Sequence, residues 1–414
     1  MAAIDLTCLN PRRLWGSLLK TAGLLPPLLL LCFSVSPSAF ATVLPDERVD
    51  LMQHSYQGGG VKVDGPSLLV RKNIGSAVSL SANYYIDMVS SASIDVLASA
   101  SRYSEKRTEK SLGLDYIHDR TTMSLGYTTS DENDYQAKTY SLGIAQAFFG
   151  DLSTLGFAFT LGEDTVGRNI NGDPDPSFKL DKERHKYTIS LSQILTKNLI
   201  AELSIDSNSD QCNNLKPGDS CLNNPYRQVR YTSAGGYGFQ AEKYPLTHNS
   251  DAIGLRAIYH LPFRASLRGD LRKFSDSWGV EAKNAEVRYT QEVYQDVLLE
   301  VKYRIYHQTA ADFYSDLFPY KDAQTFLARD KELSPFSNKS FGVGVTYTMP
   351  WGISGIEKST ANFYWDYLQF DYDDFRDYKG FAHKMPAGSS GIAGGEPLYS
   401  FDANVIRFYL SFWF

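Results

Sequence analysis

Ile406-Arg407-Phe408-Tyr409-Leu410-Ser411-Phe412-Trp413-Phe414, the last nine residues, decide how the rest of the chain is read. Counted back from the end, Phe414, Phe412, Leu410, Phe408 and Ile406 occupy every second position. A strand sends alternate side chains to opposite faces, so this set makes one apolar face. Trp413, Ser411, Tyr409 and Arg407 make the other, which is mixed and partly charged. The last strand of a soluble sandwich would alternate in the same way. It would gain little from an aromatic at the very end, where chains fray.

The same alternation recurs upstream. Val78, Leu80, Ala82, Tyr84, Ile86 and Met88 interleave with Ala77, Ser79, Ser81, Asn83, Tyr85 and Asp87. It returns in Leu155-Gly156-Phe157-Ala158-Phe159, in Leu199 to Ile205, in Ile253 to Leu261, in Val297 to Ile305 and in Phe341 to Tyr347. About a dozen segments of this kind, each near ten residues and apolar on one face only, are the signature of a membrane β-barrel. The composition agrees: mean hydropathy is −0.30, yet 13% of residues are aromatic, as interfacial girdles require. No run of eighteen apolar residues follows the N-terminal region, so transmembrane helices are not expected. The expected fold is all-β, a transmembrane antiparallel outer-membrane β-barrel. In that setting the C-terminal pattern resembles the signal by which such barrels are recognised for insertion. Phe408, Leu410, Phe412 and Phe414 are then read by the barrel-assembly machinery.

Short turns fall near Asp119, Gly150, Lys197, Pro262 and Gln295, with a longer one from Pro350 to Lys358. Long loops lie between them, near residues 88–106, 129–135, 163–184, 206–250, 275–281, 307–339 and 373–402. Six hairpins, a first strand near 76–88 and a last at 403–414 give about fourteen strands, with twelve or sixteen as the neighbouring even counts. Residues 226–239 are placed in an outer loop, with an extra hairpin as the alternative. Arg12, Arg13 and Lys20, the apolar run Leu24 to Phe33 and Ala39-Phe40-Ala41 have the three parts of a secretory signal. Residues 1–41 are expected to be a cleaved signal peptide, 42–75 an N-terminal periplasmic or plug segment, and 76–414 the barrel. The expected location is the outer membrane of a Gram-negative bacterium, in contact with its lipid.

Without residues 1–41, which carry Arg12, Arg13, Lys20 and Asp5, the chain keeps 38 basic and 46 acidic residues, a net charge of −8. That balance gives no basic footprint for nucleic acid. Cys212 and Cys221 are the cysteines that remain, and in an exported protein they read as one disulfide closing a short loop. Asp131-Glu132-Asn133-Asp134 is a candidate cation site, although acidic hairpin tips are ordinary turn chemistry. Neither a metal nor a cofactor is expected.

Alternation also sets the direction of charges, because a charge facing mid-bilayer lipid costs about 2–4 kcal/mol. With Ile253, Leu255, Ala257 and Tyr259 outward, Arg256 and His260 point in, followed by Arg264, Arg268, Asp270 and Arg272. Glu286, Arg288, Glu292, Glu300, Lys302 and Arg304 continue the set. One reading is a basic ladder along a pore wall that favours anionic solutes. The other is a salt-bridged network filling a closed lumen, with Arg268 and Arg272 opposite Glu286 and Glu292. No histidine lies in a linear catalytic motif; His260 with Ser266 is the nearest enzymatic pair, and catalysis is not expected. Phe363, Tyr364, Trp365 and Tyr367 could stack on a sugar or form a girdle.

His54-Ser55-Tyr56 with Gly58-Gly59-Gly60, Gly65-Pro66-Ser67 with Leu69-Val70-Arg71-Lys72, and Tyr84-Tyr85-Ile86-Asp87 resemble a proteobacterial family catalogued as a domain of unknown function. Ser90 to Val96, Gly126 to Glu132, Asp312 to Phe318 and Leu327 to Leu333 resemble it too. The resemblance implies an outer-membrane barrel with no assigned reaction. It also implies a periplasmic partner system of flavin-transfer and thioredoxin-like proteins. The expected role is a channel or exporter for a small solute serving such a system. A closed anchoring barrel that binds a partner is the alternative, and a membrane-embedded lipid enzyme the second.

Overall fold

The computed structural model describes residues 43–90, 104–170, 173–213, 220–222, 224–234, 236–350, 355–378 and 394–414. The expected signal peptide lies outside them, as does most of the loop expected at 88–106. In chain order the strands are β1 (Arg48–Gly58), β2 (Val61–Ile74), β3 (Val78–Ser90), β4 (Ser104–His118), β5 (Thr121–Asp131) and β6 (Tyr135–Phe148). Then come β7 (Ser153–Ile170), β8 (Asp173–Thr196), β9 (Leu199–Asn213), β10 (Gln228–Ser233), β11 (Gly236–Ala241) and β12 (Thr247–Leu261). The last are β13 (Ala265–Asp276), β14 (Glu281–Tyr294), β15 (Val297–Gln308), β16 (Phe336–Thr348), β17 (Lys358–Arg376) and β18 (Leu398–Trp413).

All but β10 and β11 form one closed antiparallel barrel. Every strand neighbours the next in sequence, β9 passes directly to β12, and β18 pairs with β1 to shut the seam. Closure satisfies every edge, which an apolar surrounding demands. The wall therefore has sixteen strands, not about fourteen. The difference is the stretch 42–75, expected as a periplasmic or plug segment: it supplies β1 and β2. The Gly59-Gly60 pair is their turn, with φ of 57° and 82°, the left-handed conformation that a two-residue hairpin needs and glycine allows. Residues 226–239 stay outside the wall, in the loop between β9 and β12 as expected, and hold a hairpin there: β10 and β11 form a separate two-stranded sheet.

Two regimes of alternation share these strands. Nearer the short turns, Leu125, Leu142, Phe157, Ile189, Leu203, Leu255, Leu267, Val301 and Phe408 are exposed on the outside. Their neighbours Ser124, Ser190, Ser204, Arg268, Glu300 and Arg407 are buried inside. Toward the long-loop end the pattern inverts. There Tyr56, Val61, Val63, Val89, Phe336, Phe370, Tyr372, Phe375 and Val405 turn inward and form one core. This core closes the barrel at its long-loop end.

Folded loops complete the plug. Tyr244, Trp278, Phe313, Tyr314, Ala328 and Leu333 gather with Tyr135, Val166 and Leu180 of the wall in a second core. Val229, Phe318 and Leu327 make a third. The β10–β11 hairpin and residues 309–335 thus lie over the mouth as a packed lid, joined where Thr232 N–H donates to Phe318 O and Lys243 N–H to Leu327 O.

Candidate functional site

The inward face of β12 to β15 brings together most of the charges read from the sequence, with partners that the sequence did not disclose. Arg256 Nε donates to Asp270 Oδ1 at 2.7 Å and Arg268 Nε to Asp270 Oδ2 at 2.6 Å. Arg272 Nη1 donates to Asp206 Oδ2 of β9 at 2.8 Å. Arg288 sits between Glu286 at 2.8 Å and Glu300 at 3.4 Å. Arg304 Nε donates to Asn284 Oδ1 at 2.7 Å. Asp366 of β17 accepts from Lys302 at 2.9 Å and also from Arg407 of β18.

The basic ladder is therefore neutralised. Arg256, Arg268, Arg272, Arg288, Lys302, Arg304 and Arg407 share the lumen with Glu202, Asp206, Asp270, Glu286, Glu300 and Asp366. Arg268, Arg288, Glu300, Asp366 and Arg407 are all buried. The pairing differs from that expected, because Arg268 and Arg272 do not meet Glu286 and Glu292. Arg268 stands opposite Arg288 in register, and Glu292 bonds Arg264 at 2.9 Å. Arg264 is not on the wall at all: it lies in the β12–β13 turn with φ 59°. His260 stands opposite Ser266 at the short-turn mouth, where it is exposed.

Two further clusters were missed. On the wall, His54 Nε2 lies 2.8 Å from Asp87 Oδ1 and 3.1 Å from the Tyr85 hydroxyl. Arg107 approaches the same Asp87 at 3.8 Å and bonds Glu109 at 2.7 Å. His54, Tyr85 and Asp87 stood in the quoted motifs, but only the β1–β2–β3 register puts them together. In the lid, Arg230 bonds both Asp316 and Glu396, and Arg329 Nη2 reaches Asp316 at 2.8 Å. The Tyr237 hydroxyl donates to Glu396 as well. Burial pushes the Glu396 carboxyl up, but the hydrogen bonds from Arg230 and Tyr237 outweigh it and hold the group below its ordinary value.

At the acidic tip, Glu132 and Asp134 meet Glu105 with their oxygens within 4.8 Å of one another. Tyr226 donates to Asp134, and Arg107 Nε is 3.7 Å from Glu132. Burial raises the Asp134 carboxyl against the hydrogen bond from Tyr226. Phe363, Tyr364, Trp365 and Tyr367 divide between the two faces of β17. Phe363 is exposed outside, and Trp365 Nε1 donates to Asn404 Oδ1 at 3.0 Å. Tyr364 stacks on Tyr409 with ring centroids 5.9 Å apart, and Arg407 lies over it.

Cys212 at the end of β9 is disulfide-bonded to Cys221, which is buried in the second core. Closing a loop of this length stabilises by about 2.5–3 kcal/mol in the chain-entropy model. Reduction of the intact protein should speed proteolytic cutting between β9 and β12 by up to about 100-fold. Equal digestion with and without reductant would mean that packing alone holds the loop.

Comparison with solved structures finds distant likenesses. A bacterial polysaccharide outer membrane secretin has 6% identity and a TM-score of 0.48, over 90% of this chain and 100% of that one. CdiB from Acinetobacter baumannii has 7% identity and a TM-score of 0.47 over 88% of this chain, which spans 60% of it. OccK2 (OpdF) of Pseudomonas aeruginosa, solved in complex with glucuronate, has 10% identity and a TM-score of 0.42, covering 89% and 98%. A sequence search among curated proteins finds no match. The family model described as protein of unknown function (DUF3570) matches residues 97–391, and the chain belongs to that family.

Proposed function

We propose that this protein is a gated passage for a small solute across the outer membrane, closed in the state described here. One observation carries the reading: the lumen is charged along β12 to β18, and a loop lid completes the closure of its outer mouth above the core that the wall strands supply. Apolar filling of similar volume is often as stabilising as buried ion pairs, or more so. A lumen kept ionic is better explained by a state in which it is hydrated. With the lid aside, Arg256, Arg268 and Arg272 would line that path, and their near balance with carboxylates gives a weak anion preference. The burial of those same charges favours a second reading, a sealed barrel that anchors a periplasmic partner.

Planar-bilayer recording of the refolded protein separates the two. A passage should give rare openings in the wild type, with a reversal potential that moves toward cations when Arg268 and Arg272 are both replaced by Gln. Silence in the wild type and also in a variant lacking residues 228–241 would sink the passage in favour of the anchor.

A further inference from the structure

Four basic side chains interrupt the barrel's exterior in one patch. Lys273 of β13 stands opposite Lys283 of β14, and Lys283 stands opposite His307 of β15. Lys339 of β16 stands beside them, opposite Ile305. All four are exposed, and among the described residues none forms an ion pair. Like charges set directly across a sheet are destabilising. Asp251 and Glu281 share this outward face one row nearer the long loops but form no ion pair with the lysines among the described residues, which leaves room for an anion from outside the chain.

The four also border a groove of about 730 Å³. Its floor is apolar and outward-facing: Leu203, Ile253, Leu255, Leu271, Ala285 and Ile305. Leu271, Ala285 and Ile305 are register partners on adjacent strands, so the small Ala285 between two larger side chains makes the trough.

Depth places this patch at one interface. Lys273 lies ten residues beyond Phe263, Lys283 ten before Val293, His307 ten beyond Val297, and Lys339 ten before Met349. Ten residues at about 3.4 Å each, tilted by about 40°, rise roughly 26 Å, the height of the apolar band. All four therefore sit at the boundary opposite the short turns, which is the outer one.

We infer that this patch binds a phosphate-bearing lipid of the outer leaflet, with an acyl chain in the groove and the phosphate on Lys273, Lys283 and Lys339. The apolar floor is what favours a lipid over a soluble anion, and a sealed barrel would keep the site as well as an open one.

The test uses the full chain in nanodiscs of neutral phospholipid doped with lipid A or with its dephosphorylated form. Native mass spectrometry reads the lipid retained after detergent extraction. Three lysines at roughly fivefold each predict a preference of about 100-fold for the phosphorylated form. Lys273→Gln/Lys283→Gln/Lys339→Gln should abolish the preference, and Ala285→Phe should reduce retention with every charge intact. Equal retention of the two lipids by the wild type overturns the proposal, and needs no variant to fold. Displacement of the lipid by millimolar inorganic phosphate also overturns it, because a soluble anion would then be the ligand.

Discussion

Replacing Arg230 with Ala is expected to open the lid. Arg230 is buried with Asp316 and Glu396 on either side, and Tyr237 and Tyr378 flank its guanidinium at 5.0 and 5.4 Å. It ties the β10–β11 hairpin to residues 309–335 and to the segment before β18. Removing one partner of a buried ion pair costs about 3–5 kcal/mol, since the other charge stays buried. Arg329 still holds Asp316, and Arg376 still donates to the backbone oxygen of Glu396, so the low end applies. About 3 kcal/mol raises the open-lid population roughly 100-fold. Open probability in planar bilayers and proteolysis of residues 309–335 should rise together. Unchanged proteolysis would show that the apolar cores alone hold the lid.

Acid should act through the same cluster. The Glu396 carboxyl is held below its ordinary value of 4.5 in the closed lid, so its ionised form stabilises closure. That contribution is complete above 4.5 and is lost as pH falls through the lowered value. Lid opening at acid pH is therefore expected in the wild type. It should be weaker in Glu396→Gln, whose amide does not titrate.

How much of this could be read from the chain depends on which solvent faces each residue. Lipid enforces a simple rule, so Leu255, Val301 and Phe408 announced the wall. Beyond the membrane that rule no longer applies. Val61 and Val63 turn inward to the plug while Lys62 lies outside, which hid β2 behind an inverted pattern. Pro66 and the glycines hid it further. The direction of Arg268, Arg272 and Arg288 followed from alternation, but their partners did not. Asp206 lies on β9 and Asp366 on β17, and which strands meet across a lumen is a property of closure. The lid cluster is more remote still: Arg230 and Glu396 are 166 residues apart in sequence. Arg264 misled because a two-residue periodicity says nothing about where a turn begins.

Gly65→Ala is expected to be the most damaging single substitution in the wall, although it adds one methyl group. A Cβ at Gly65 would lie 1.7 Å from the carbonyl oxygen of Ile86 and 2.7 Å from its carbon. Those are backbone atoms of β3, so no rotamer relieves the overlap. The pairing of β2 with β3 skips Gly65 and Pro66, running from Asp64 opposite Met88 to Ser67 opposite Tyr85. Pro66 has no N–H to offer the ladder, and the absent side chain lets the two backbones close over the gap. The same Cβ would come within 3.0 Å of the His54 ring, which bonds Asp87. Overpacking with methylenes costs about 1–3 kcal/mol where side chains can yield; here a strand must move, so at least the upper end is expected. The heat-modifiable, assembled fraction in a urea titration would measure it. Adding His54→Ala separates the causes. If the Ile86 carbonyl is the obstacle, removing the ring restores nothing. Recovery of assembly in the double variant would place the strain on His54 instead and would leave the β2–β3 approach free to relax.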